Sequence, residues 1–241
     1  MSSIRNYKKI IIFNIIIAII CHNWYINAMK FDDLLHILGT EELFASDLLL
    51  AGRVDPKQIR RQLSRWTESG RILQLRRGRY VLADPYRKRE PHPFCVANFL
   101  VRASYVSLHT ALSHYNMIPE YSAAVTSVTS GRPGVMDTVL GRYEYRHIKK
   151  EFFCDYYLAD IGMAQKAFIA APEKALFDLI YLTPKSDFLS YLRELRLNFP
   201  EQFQLNRFLS IIEKLDSAKL KRAADHIMTL FEHDFKEYES L

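Results

Sequence analysis

The chain has 241 residues, 49% hydrophobic and 25% charged, with 33 basic against 27 acidic side chains and a net charge of +6. Those proportions are those of an ordinary globular protein with material for one large domain or two small ones. Three cysteines, Cys21, Cys95 and Cys154, are odd in number and lack metal-ligand spacing, so no disulfide framework is implied and a reducing cytoplasm is the expected compartment.

Charge is unevenly placed. Residues 53–90 carry 12 basic against 4 acidic side chains, a net of +8, while the rest of the chain carries 21 against 23. A local excess is how a polyanion footprint is written in a sequence, and uniform solubility charge is not.

Residues 1–28 contain the apolar run Ile10–Cys21, broken by Asn14, after the pair Lys8-Lys9. A bilayer span wants about 20 apolar residues, and a secretory signal wants a small-residue cleavage site; neither is present, and no membrane partner is expected. This segment is expected to be a non-native or disordered extension, with the coherent text starting at Met29; a poor membrane or signal segment is the alternative.

From Met29, Phe31, Leu34, Leu35 and Leu38 recur at helical spacing. Ser46 is a plausible N-cap for a second short helix stopped by Gly52. The third helix carries the clearest signals: Asp55 as N-cap, Pro56 at the first position, Gln58 three residues on as a capping-box partner, and Gly70 as the stop. At about 100° per residue, Ile59, Gln62, Leu63 and Trp66 face inward. Lys57, Arg61, Ser64 and Glu68 point the opposite way, with Arg60 and Arg65 on the flanks.

Two short apolar runs, Ile72–Leu75 and Tyr80–Leu82, then flank Arg76, Arg77, Gly78 and Arg79. Three arginines on a tight turn repel one another, and the approach of phosphates relieves that repulsion as condensed counterions leave. Gly78 permits the turn and a close backbone approach to a ligand. The order of three helices and a β-hairpin predicts a winged helix-turn-helix over residues 29–84, with the third helix in a DNA major groove and the hairpin on phosphates. A solvated basic edge strand is the alternative.

DPYRKREPHP reads as a linker, placed at 85–93. Residues 94–241 are expected to form a mixed α/β domain ending in helices, so the chain as a whole is α+β. Tyr105–Tyr115 reads as a helix, Ala123–Ser130 and Tyr143–His147 as strands around an SGRPG turn, and Phe152–Leu158 and Lys166–Ala170 as further strand-like pieces. APEKALFDLIYLTP reads as a helix opened by Pro172, and helices with stripes such as Phe208, Ile211, Ile212 and Leu215 follow.

No phosphate-binding loop, dinucleotide fingerprint or nucleophile elbow is present. Glu173 and Asp178 could hold Mg²⁺ in a nuclease, but they are five apart and off one another's helix face, and Glu173 suits a helix N-terminus on its own account. His109 and His114, also five apart, are a poor acid–base pair. A second basic cluster, Arg132, Arg142, Arg146, His147, Lys149 and Lys150, would extend a DNA footprint, meet an acidic partner or form a solvated face. No cofactor and no metal are expected.

The segments DPKQIRRQLSRWTESGRILQLRRGRYVLADPYRK, HPFCVANFLVRASYVSLHTALSHYNMIPE, VTSVTSGRPG, YEYRHIKKEFF and APEKALFDLIYL, in that order, resemble the AbiEi family, the antitoxins of type IV toxin–antitoxin systems of abortive infection, a phage defence. The resemblance runs from Met29 to the late helices, and the preceding 28 residues depart from it. It implies a non-enzymatic transcriptional repressor. Such a protein binds inverted repeats of double-stranded DNA in its own promoter and counteracts a nucleotidyltransferase toxin without a stable complex. Carried onto this chain, Lys57, Gln58, Arg61 and Ser64 would meet bases, and Arg60, Arg65, Arg76, Arg77 and Arg79 phosphates. Arg132 and Arg146 are candidates for toxin neutralisation or extra DNA contact. The competing readings are a regulator without a toxin partner and a metal-dependent nuclease delivered to DNA.

Overall fold

A computed structural model of the chain describes residues 29–51, 54–119, 122–213 and 215–239. It is an α+β protein of two compact units divided between Pro91 and His92. The expected extension over 1–28 and the expected stop at Gly52 lie outside the described residues.

In the first unit, α1 (Phe31–Leu38), β1 (Leu43–Ala45), α2 (Ser46–Leu49), α3 (Pro56–Glu68), β2 (Ile72–Arg76) and β3 (Arg79–Leu82) follow in order. The strands form one antiparallel sheet in the order β1-β3-β2. Apolar spacing makes α1 and α3 amphipathic, and their inner faces meet in a core of Phe31, Leu34, Leu38, Ile59, Leu63 and Trp66 against Phe44, Ile72 and Tyr80 of the sheet. Phe31 sets its ring edge-on to Trp66 at 5.5 Å and to Tyr86 at 4.7 Å.

Asp55 caps α3 as expected, but its Oδ1 accepts from Lys57 N at 2.9 Å, one residue short of the capping-box geometry. Gly70 ends the helix at φ 67°, where Arg71 N donates back to Trp66 O at 2.9 Å. Ser46 is not an N-cap. Ala45 holds that position, because the chain passes straight from β1 into α2 and Ser46 N donates to Gly78 O at 3.0 Å.

The stretch expected as a linker contributes to both units. Arg87 bonds Asp84 and Glu90 at 3.0 and 2.7 Å, Arg89 bonds the buried Glu42 at 2.8 Å, and Lys88 donates to Gly39 O at 2.8 Å, all within the first unit. Pro93 already opens the first helix of the second.

The second unit runs α4 (Pro93–Leu100), β4 (Ser104–Val106), α5 (Leu108–His114), β5 (Ala124–Thr129), β6 (Gly134–Thr138), β7 (Gly141–His147), a 3-10 turn at Lys150–Phe152, β8 (Tyr156–Asp160), β9 (Lys166–Ala170), α6 (Pro172–Leu182), α7 (Leu189–Glu194), α8 (Leu205–Glu213) and α9 (Ala218–Glu239). Its six strands form one mixed sheet, β6-β7-β5-β4-β9-β8, with β5–β7 and β4–β9 parallel.

Three expectations are corrected here. YVSLHTALSHY begins as a strand, because Tyr105 and Val106 pair with Val128 and Ser127 of β5, and the helix starts only at Leu108. β6, not foreseen, pairs with β7 through a hairpin closed at Thr138 and Gly141. The strand expected at 152–158 begins at Tyr156, where pairing with Ala170 of β9 fixes its register. Nine consecutive residues of α6, Pro172 to Ile180, are buried, so this helix is enclosed on every side.

Candidate nucleic-acid interface

The residues proposed for DNA contact divide between α3 and the β2–β3 hairpin. Ile59, Leu63 and Trp66 bury one stripe of α3, and that geometry turns Lys57, Gln58, Arg60, Arg61, Ser64 and Arg65 to the outside, where all six are exposed. Arg61 lies along the helix with its Nε donating to Lys57 O at 3.3 Å, and Ser64 Oγ donates to Glu68 Oε1 at 2.9 Å. The outer face is therefore basic in its first two turns and carries an acid only at its end.

The hairpin places Arg76 opposite Arg79 across a two-residue turn of Arg77 and Gly78. Arg77 is exposed at the tip and Arg79 half-buried. Gly78 has φ 75°, and a Cβ there would meet Ser46 Oγ at 3.0 Å. The close approach that this glycine serves is thus to α2 of its own chain.

The structure narrows the basic cluster. Arg71 sits over the Phe31 ring at 5.2 Å, and Arg87, Lys88 and Arg89 hold the internal contacts given above. These four brace the unit's own fold. Among the described residues, the exposed basic side chains of α3, Arg76 and Arg77 stand outside this bracing set, although Arg71 and Lys88 are exposed as well.

In the second unit, Arg132 and Arg146 are both exposed and lie at one end of the sheet. Arg146 pairs with Val128, and the next residue, His147, bonds Gly131 O through Nδ1 at 2.9 Å. Arg142 stands apart from them, in ion pairs with Asp137 at 3.2 Å and Glu144 at 3.4 Å, and Lys149 lies 3.7 Å from Glu151.

The carboxylates weighed for Mg²⁺ serve different contacts. Glu173 Oε1 accepts from Gln204 N at 2.7 Å, with Arg207 3.9 Å from its other oxygen. Asp178 is fully buried: Lys174 bonds its Oδ1, while Tyr105 and Ser107 donate to Oδ2 at 3.0 and 2.7 Å. Burial pushes the Asp178 carboxyl up, and Lys174 and the two hydroxyl donors oppose that shift. Burial and the adjacent Asp178 push the Tyr105 phenol up, keeping it a donor. Among the described residues no group of three or more His, Cys, Asp or Glu side chains is placed to hold a metal ion.

Sequence reasoning missed this buried cluster because it compared Asp178 with Glu173. The i,i+4 pair Lys174–Asp178 was the local signal; Tyr105 and Ser107 lie 73 and 71 residues away and left none. Among the described residues no helix is long and apolar enough to cross a membrane. In comparisons with known proteins, no family model matches the chain and no curated protein matches it.

Proposed function

We propose that the first unit is a winged helix-turn-helix that grips double-stranded DNA, with α3 in the major groove and the β2–β3 hairpin on the phosphate backbone. The observation that carries this reading is the exposed row Lys57, Arg61 and Ser64, flanked by Arg60 and Arg65, beside a hairpin tip at Arg77. The sheet order, with β1 beside β3, supports the wing assignment. A basic face of this kind gains by releasing counterions from the duplex.

The likeness of the motif order to the AbiEi family extends the proposal. The chain acts as an autorepressing type IV antitoxin, binding inverted repeats in its own promoter and counteracting a nucleotidyltransferase toxin without forming a stable complex. Arg132 and Arg146 are the candidates in the second unit for that opposition or for further DNA contact. The diverging contacts of Glu173 and Asp178 disfavour the nuclease alternative.

Titration of promoter fragments at several salt concentrations tests the DNA reading. Arg77→Ala should weaken binding to every sequence and reduce the salt slope by about one unit. Affinity indifferent to ionic strength would overturn the assignment. Co-expression of the whole chain with the frame adjacent to its gene tests the antitoxin reading: rescue of growth supports it, and unchanged toxicity with the DNA binding intact leaves a regulator without a toxin.

A further inference from the structure

A pocket of about 300 Å³ lies in the second unit where the start of α4 meets α5 and β5, lined in part by His92, Phe94, Thr110, Ser113, His114 and Val125. His92 is the N-cap of α4. Its Nδ1 accepts from Phe94 N at 3.1 Å, and its own backbone N–H donates to Gln165 Oε1 at 2.8 Å. A ring nitrogen that accepts a hydrogen bond carries no proton, so this imidazole is neutral with its hydrogen on Nε2. The Phe94 ring stands edge-on between the imidazoles of His92 and His114, at 4.7 and 5.5 Å.

Burial pushes both imidazoles below the ordinary histidine range, and His114 adds to that effect at His92. Thr110 Oγ1 is already engaged with Thr126, at 2.9 Å to its N and 3.0 Å to its Oγ1. Among the described residues, His92 Nε2, the His114 ring nitrogens and the Ser113 hydroxyl have no hydrogen-bond partner. Among the described residues, the pocket therefore offers three unclaimed donors beside an apolar wall of Phe94 and Val125, and its described lining contains neither a carboxylate nor a Lys or Arg.

Donors without acceptors call for a ligand rich in acceptors. The lack of a fixed cation argues against a dianionic phosphate, which favours Arg or Lys. We infer that this pocket binds a small organic carboxylate, its oxygens facing His92 Nε2, Ser113 and His114 and its apolar body lying against Phe94 and Val125. A mostly apolar cleft with a few converging polar groups is the usual form of a small-molecule site. The inference is independent of the DNA reading.

Benzoate is a suitable probe, with benzamide as its uncharged counterpart and inorganic phosphate as the competing anion. The measurement is an amide NMR titration of the full chain. Benzoate should give saturable shifts centred on Phe94, Ser113 and His114, while benzamide and phosphate leave these amides unmoved at the same concentration. His92→Asn keeps an N-cap for α4 and should weaken benzoate binding at least tenfold without lowering the melting temperature. Non-saturating shifts, an equal response to benzamide or to phosphate, or undiminished binding by a folded His92→Asn protein would each overturn the inference. Should that variant melt early, His114→Ala supplies the same comparison, because its exposed imidazole caps no helix.

Discussion

The two units put charge to opposite uses. In the first, Lys57, Arg60, Arg61, Arg65 and Arg77 are exposed, and burying Ile59, Leu63 and Trp66 is what turns the α3 residues outward. In the second, Lys174 and Asp178 face one another inside the core with 1% and 0% of their side chains exposed. The first arrangement costs self-repulsion that a polyanion relieves. The second costs desolvation that only a complete set of partners offsets. On the proposed function the exposed row of the first unit serves an external partner, whereas the buried pair of the second satisfies itself.

Four measurements break or sharpen that contrast. The largest effect belongs to the buried pair. Asp178→Ala strands the Lys174 ammonium and leaves the Tyr105 and Ser107 hydroxyls without their acceptor, at a cost of about 3–5 kcal/mol by denaturant unfolding. Combining Lys174→Met with Asp178→Asn should recover most of that loss, because the charge is gone and an oxygen remains for both hydroxyls. Equal losses in the two proteins would mean that charge compensation is not what holds this site.

Next, Arg61→Ala should leave stability within about 0.5 kcal/mol of wild type, as an exposed position does. If it reads a base bidentately, promoter affinity should fall by about 1–3 kcal/mol. Loss of stability without loss of affinity would make α3 a structural helix and erase the contrast. Asp55→Ala removes the cap on Lys57 N and should cost about 1 kcal/mol in thermal unfolding, sharpening how much of the first unit rests on local signals.

The smallest effect is on pH. His92 and His114 both have folded values held below the ordinary 6.5, so the unfolded chain takes up protons first as pH falls. Their contribution is full above about pH 6.5 and is lost as pH drops through the folded values. Both rings are partly exposed, so the decline should be shallow. A second unit whose unfolding midpoint rises on acidification from pH 7 would contradict it.

How much was legible in the sequence differs between the units for a physical reason. Asp55, Pro56 and Gly70 bound α3 correctly because capping acts over two to four residues, and the apolar period named its buried face. Tyr105 looked helical because its neighbours continue a helix-like period, yet pairing with Val128, more than twenty residues on, makes it a strand. The purpose of Gly78 was half legible. Its turn was readable, but the Ser46 side chain that crowds the position comes from a different element.

By itself the sequence determined where positive charge gathers, which helix carries it and where that helix starts and stops, since these are properties of neighbours along the chain. Only the tertiary structure decided which arginines are available. Arg87 and Arg89 look like part of the basic run until Asp84, Glu90 and Glu42 are seen to hold them. It alone also closed the Lys174–Asp178 site and set His92 beside His114, because a partner's position in space depends on how the whole chain packs.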